Sequence, residues 1–177
     1  MKKAFVIAAG LILIFIMGCI SQPPPAPAGL EQYIPAKDLP RNFKLVGIAN
    51  NTSVAESVMG EFDVNVLNAV KGYYSIESAP VDGYVLIIKC ASATHASNAT
   101  KNFLALFPEF PPNAPFARYS KVSFNGHAAT QILGDYPDPN AQKFIYKYIW
   151  QKEELVFIVS GGDDQQASLK LAQLTGA

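Results

Sequence analysis

Three spacings of apolar residues divide the chain. Residues 4–18, AFVIAAGLILIFIMG, are apolar without interruption, and a proline-rich tract, SQPPPAPAG, follows closely. Beyond it the period becomes two, the repeat of a strand with one buried side. FKLVGIAN (43–50) predicts one strand, and in AVKGYYSIES the residues Val70, Gly72, Tyr74 and Ile76 share one side of another. YVLIIKCAS is a nearly continuous apolar strand, joined to its predecessor through Pro80, Asp82 and Gly83, so the pair predicts a hairpin. KVSF and HAATQIL flank Asn125-Gly126, the strongest hairpin dipeptide present. KFIYKYIWQ and LVFIVS flank Lys152-Glu153-Glu154 as a last hairpin.

Helical spacing occurs in fewer places. In THASNATKNFLALF, residues Ala96, Ala99, Phe103, Leu104 and Phe107 share a face, and Pro108 ends the run. Ala167, Leu171 and Leu174 predict a short C-terminal helix, with Asp163 as its N-cap after Gly161-Gly162. Ser53-Val54-Ala55-Glu56 fits a capping box and opens a helix that Gly60 keeps short. These elements predict an α+β fold, a mainly antiparallel sheet with two or three helices packed on it. Hairpin followed by helix occurs twice, the apolar strands starting about 70 residues apart, so the chain reads as two hairpin-plus-helix units of low mutual identity.

Charge near the N-terminus changes the reading of the apolar run. Lys2 and Lys3 precede it and a small residue closes it, which is the layout of an export signal. The closing residues, Ile16-Met17-Gly18-Cys19, resemble the lipobox of prokaryotic lipoproteins. The resemblance implies a diacylglyceryl group on the Cys19 thiol and removal of residues 1–18. An uncleaved anchor is the alternative, since residues 4–20 number 17, the short end of a bilayer span of ~17–25 residues. The expected organisation is a signal peptide at 1–18, a lipidated cysteine and proline-rich linker at 19–39, and one domain at 40–177. Proline lacks an N–H and fixes φ, so the linker favours an extended spacer of ~3.1 Å per residue.

Fourteen basic and fourteen acidic residues cancel without a long run of either sign. No basic stripe marks a nucleic-acid partner. With Cys19 acylated, Cys90 has no partner for a disulfide, and its parity with Leu86 and Ile88 reads as a small buried residue. Asn50, Asn51 and Asn98 begin N-x-[ST] sequons. Their glycosylation on an exported chain would be an archaeal or eukaryotic trait rather than a typical bacterial one.

Catalytic patterns are missing from the sequence. His95 and His127 lack zinc-binding spacing, and G-x-S-x-G, the P-loop and G-x-G-x-x-G do not occur. Asp135, Asp138 and Asn140 offer oxygens to a cation, but without EF-hand spacing they read as a turn-rich loop. No catalytic residue, metal or cofactor is predicted.

One feature supports a binding role. Phe144, Tyr146, Tyr148 and Trp150 share a side of one strand, while Ile145 and Ile149 line the other with Lys147 between them. Covered by helices, the aromatic row is core; uncovered, it is a platform for a ligand or a protein partner. In the first case a site is expected in the loops at 108–118 and 134–142. The C-terminal part, NGHAAT followed by the aromatic strand, hairpin and helix, is similar to small uncharacterised domains of other prokaryotic lipoproteins, which implies no activity. The expectation is a lipoprotein anchored through Cys19 at the outer face of the cell membrane, acting as a non-catalytic binding or accessory module. Its partner would be an envelope protein, such as a transporter component, or a small ligand such as a sugar. An enzyme with an unrecognised site and a structural envelope scaffold are the alternatives.

Overall fold

The computed structural model describes residues 29–77, 79–141 and 143–176, so the expected signal peptide and Cys19 lie outside the described residues. Seven strands run as β1 (Phe43–Asn50), β2 (Val66–Ile76), β3 (Gly83–Cys90), β4 (Tyr119–Phe124), β5 (His127–Asp135), β6 (Phe144–Lys152) and β7 (Leu155–Ser160). They form one antiparallel sheet in the order β1-β2-β3-β7-β6-β5-β4. Helix α1 (Ala93–Ala105) follows β3, and α2 (Gln165–Gln173) follows β7. Short 3₁₀ segments at Leu30–Tyr33, Thr52–Val58 and Pro139–Ala141 complete the fold. The predicted α+β architecture is present.

Both sheet faces are covered. Leu86, Ile88, Ile132, Ile149, Val156 and Ile158 point to one face and pack under Ala96, Ala99 and Phe103 of α1. Val70, Tyr74, Val85, Ile87, Phe157 and Val159 point to the other, under Leu171 and Ala172 of α2. Strands buried on both sides lose polar alternation, which is why β3 and β7 read as continuous apolar runs. The two hairpin-plus-helix units therefore do not repeat each other in space, because their helices lie on opposite faces. After β3, Ser92 caps α1 at once, its hydroxyl accepting from His95 N at 3.2 Å. After β7, Gly162 at φ 81° reverses the chain first. A Cβ on Gly161 would sit 2.5 Å from Ser168 Cα, so glycine also permits α2 to approach the sheet end.

The boundary between linker and domain moves toward the N-terminus. Leu30 and Ile34 are buried in the α2-side core, and the Tyr33 ring meets Phe157 edge-on at 5.3 Å. Tyr74 Oη donates to Pro35 O at 2.8 Å and fastens this segment. Two cap assignments also change. Asp164 caps α2, accepting from Ala167 N at 3.0 Å, while Asp163 instead pairs with Lys143 at 2.9 Å. Ser53–Glu56 lies in a 3₁₀ segment without a side-chain cap, so the capping box does not form.

Candidate functional site

The aromatic row is mostly core. Trp150 and Tyr148 are 2% and 1% exposed. Trp150 stacks on Phe157 at 5.0 Å with an 8° interplanar angle, and Phe124 meets it edge-on. The inner half is therefore no platform, because α2 and residues 30–34 cover it. Tyr146 is half-buried against the same core, and only Phe144 at the strand's start reaches a surface cleft.

That cleft is built by two loops. Pro108 prevents α1 from continuing, and the chain between α1 and β4 carries Pro108, Pro111, Pro112 and Pro115. Arg118, 6% exposed, fastens its far end. Arg118 Nε donates to Pro108 O at 3.0 Å, and Nη1 donates to Leu133 O at 2.6 Å and Asp135 Oδ1 at 2.7 Å. Its guanidinium lies 3.7 Å from the Phe110 ring centroid. Tyr119 Oη holds the near end, its single proton shared between Leu104 O at 2.9 Å and Phe107 O.

Held in this way, Phe110, Phe116 and Phe144 converge, with centroid separations of 5.4, 5.7 and 4.7 Å. The β5–β6 loop supplies the opposite wall through Tyr136 and Pro139, with Asp135 and Lys143 at the rim. The cleft encloses about 690 Å³, within the ~300–1,000 Å³ typical of small-molecule sites. Phe116 is 45% exposed. Lys143 donates to Asp163, which raises its pKa above the ordinary lysine value. A second recess of 530 Å³ lies beyond the first loop, lined by Leu104, Phe107, Tyr119 and Lys121. Its rim is polar, with Lys101, Glu109, Ser120 and Thr130, but it lacks a cluster of converging aromatic rings.

The remaining sequence-predicted residues are dispersed. Asn50 and Asn51 are exposed; Asn50 Nδ2 donates to Glu31, and Asn51 Oδ1 accepts from Ser53. Asn98 lies in α1 with its amide donating to Asp63 O at 2.9 Å. Cys90 is fully buried, which pushes its thiol up to about 11. His95 bridges Ser92 and Asp63, and His127 begins β5. Asp135 is engaged by Arg118, and Asp138 accepts from Asn140 N at 2.9 Å. Among the described residues no group of three or more His, Cys, Asp or Glu is placed to hold a metal. No described helix is long and apolar enough to cross a membrane.

Sequence reasoning pointed to both loops but missed Arg118 as their organiser. One arginine in a proline-rich loop carries no periodic signal. The chain matches no protein-family model, no curated protein and no solved structure.

Proposed function

We propose that this chain is a lipoprotein held at the outer face of the cell membrane through Cys19, working there as a non-catalytic binding module. The observation that carries the binding role is the aromatic cleft, with Phe116 45% exposed at its mouth. Proline and the Arg118 clamp hold the rings in place before any ligand arrives, which lowers the ordering cost of binding. Asp135 and Lys143, the ionisable groups at the rim, already pair with Arg118 and Asp163, which favours recognition over acid–base chemistry. A ligand with a flat apolar face fits the three phenylalanines, either a sugar ring or an apolar side chain of an envelope protein. The lipobox-like ending at Cys19 supports the tether.

The small-ligand form is tested on the full chain in non-ionic detergent, with 4-fluorophenylalanine at position 116. Fluorine NMR is followed while maltose, cellobiose and N-acetylglucosamine are titrated. At least one sugar is expected to shift the resonance saturably, and Phe144→Ala to remove the shift. A flat response to all three eliminates the sugar and leaves the protein partner. For the tether, Cys19→Ser is expected to abolish lipid labelling of the chain and the removal of residues 1–18, both read by mass spectrometry, and unchanged processing would overturn the lipid anchor.

A further inference from the structure

Where the aliphatic face under α1 ends, the sheet carries a line of polar residues. In register across four strands stand Tyr73 of β2, Tyr84 of β3, Ser160 of β7 and Lys147 of β6. Lys71 leans over the same end from β2. Its Nζ lies 4.4 Å from the Tyr84 ring centroid and 5.0 Å from that of Tyr73. Lys147 Nζ lies 5.5 Å from the Tyr84 centroid and 6.0 Å from that of Phe107, and donates to Ser160 Oγ at 3.0 Å. A Cβ on Gly134 would meet Lys147 Cε at 2.9 Å, so this glycine leaves room for the lysine stem across β5.

The shelf is rich in donors, and its two lysines stand outside the ion pairs of the described residues. Three lysine or arginine side chains pair with carboxylates there and His95 contacts Asp63, and neither Lys71 nor Lys147 belongs to any of these contacts. Glu56 lines a recess with Ser53, Ser57, Lys71 and Tyr73, yet makes no ion pair with Lys71. Ser160 is 2% exposed and accepts from Lys147, which leaves its own hydroxyl proton free to donate. Two half-buried ammonium groups therefore face one aromatic ring, and neither is held in an ion pair. Desolvation lowers the pKa of each, and the Lys71 charge adds to the effect on Lys147, bringing it to about 8. A bound anion relieves both costs, since it replaces lost hydration and screens the mutual repulsion.

We infer that this shelf binds a small oxyanion, a carboxylate or phosphate group held between Lys71 and Lys147 with the Ser160 hydroxyl as a third donor. The site is separate from the aromatic cleft and shares no lining residue with it, so the two succeed or fail independently.

The full chain in non-ionic detergent, with its lysines carbon-13 methylated, is titrated with inorganic phosphate and with acetate. Sodium chloride at equal ionic strength is the control. Carbon NMR reads each amine, and Lys71→Met and Lys147→Met assign the two signals. The expected result is a saturable shift of both signals, with the Lys147 titration midpoint rising by about one pH unit as anion binding favours the ammonium form. Response to phosphate alone, acetate alone or both identifies the oxyanion, and each supports the site. Lys147→Met is expected to weaken the Lys71 response at least tenfold. The inference is overturned if neither anion moves Lys71 and Lys147 more than chloride does, or more than it moves exposed Lys44. The titration of the unsubstituted chain decides this even if a variant fails to fold.

Discussion

Replacing Arg118 by methionine keeps an unbranched stem against Phe110 and removes the guanidinium that clamps the cleft. Three acceptors lose their donor: Pro108 O, Leu133 O and Asp135 Oδ1. The two carbonyls matter most, and because both bonds are only part-buried each unmet acceptor costs about 1 kcal/mol, the low end for such a loss. The Asp135 side chain is 80% exposed and recovers its hydration, so its share is about 0.5 kcal/mol. Loss of the stacked cation over Phe110 adds about 0.5–1 kcal/mol. Some water reaches the loop, so the expected total is about 3 kcal/mol. Urea unfolding of the full chain, followed by Trp150 emission, reads this as a midpoint lowered by about 1.5 M for a slope near 2 kcal/mol/M. Asp135→Asn keeps an acceptor oxygen and is expected to cost only about 0.5 kcal/mol. Arg118→Met within 0.5 kcal/mol of the parent, or an equal loss from Asp135→Asn, would refute the clamp.

Other expectations follow from the core and its termini. Trp150 emission is expected to be blue-shifted and insensitive to iodide, with the ring stacked on Phe157 and 2% exposed. Trp150→Phe is expected to cost at least 2 kcal/mol less than Trp150→Ala in urea unfolding, since it keeps the stack and removes an indole N–H that has no hydrogen-bond partner. Gly161→Ala brings a Cβ to 2.5 Å from Ser168 Cα and is expected to lower stability by about 1–3 kcal/mol. Lys147 titrates near 8 in the fold and near 10.5 once unfolded, so between these pH values its own contribution to stability rises with pH. From pH 8 to 10 that contribution grows by about 1–2 kcal/mol after discounting for solvent, while the raised Cys90 thiol works in the opposite sense, so it is read as the difference in urea unfolding between the parent and Lys147→Met. The Cys90 thiol, pushed up to about 11 by burial, is expected to resist thiol reagents at pH 8 until the chain unfolds.

Much of the sheet was legible because its periodicity is local. FKLVGIAN and LVFIVS coincide with β1 and β7, and Asn125-Gly126 forms its turn with both φ values positive, 49° and 79°. What escaped depends on partners distant in sequence. Leu30 and Ile34 follow a proline tract and read as linker, yet they cover the β-sheet far along the chain. Whether Phe144 to Trp150 is platform or core turns on the face that α2 chooses, and a period of two fixes parity, not coverage. Asp163 and Asp164 are equivalent as caps until Lys143 claims the first. Lys147 did leave a trace, a charge between Ile145 and Ile149 on a buried strand. Its meeting with Lys71 over Tyr84 required the order β2-β3-β7-β6, which local sequence does not specify.

Photocrosslinking in native membranes tests whether the cleft between the two loops is the working surface of the proposed anchored binding module. A benzophenone side chain replaces Phe116 in one full-length variant and Val46, 59% exposed on edge strand β1, in another. A discrete adduct is expected from position 116, abolished by Arg118→Met, and none from position 46. Equal labelling from both positions, or no adduct from 116 in chains recovered with the membrane, would contradict it.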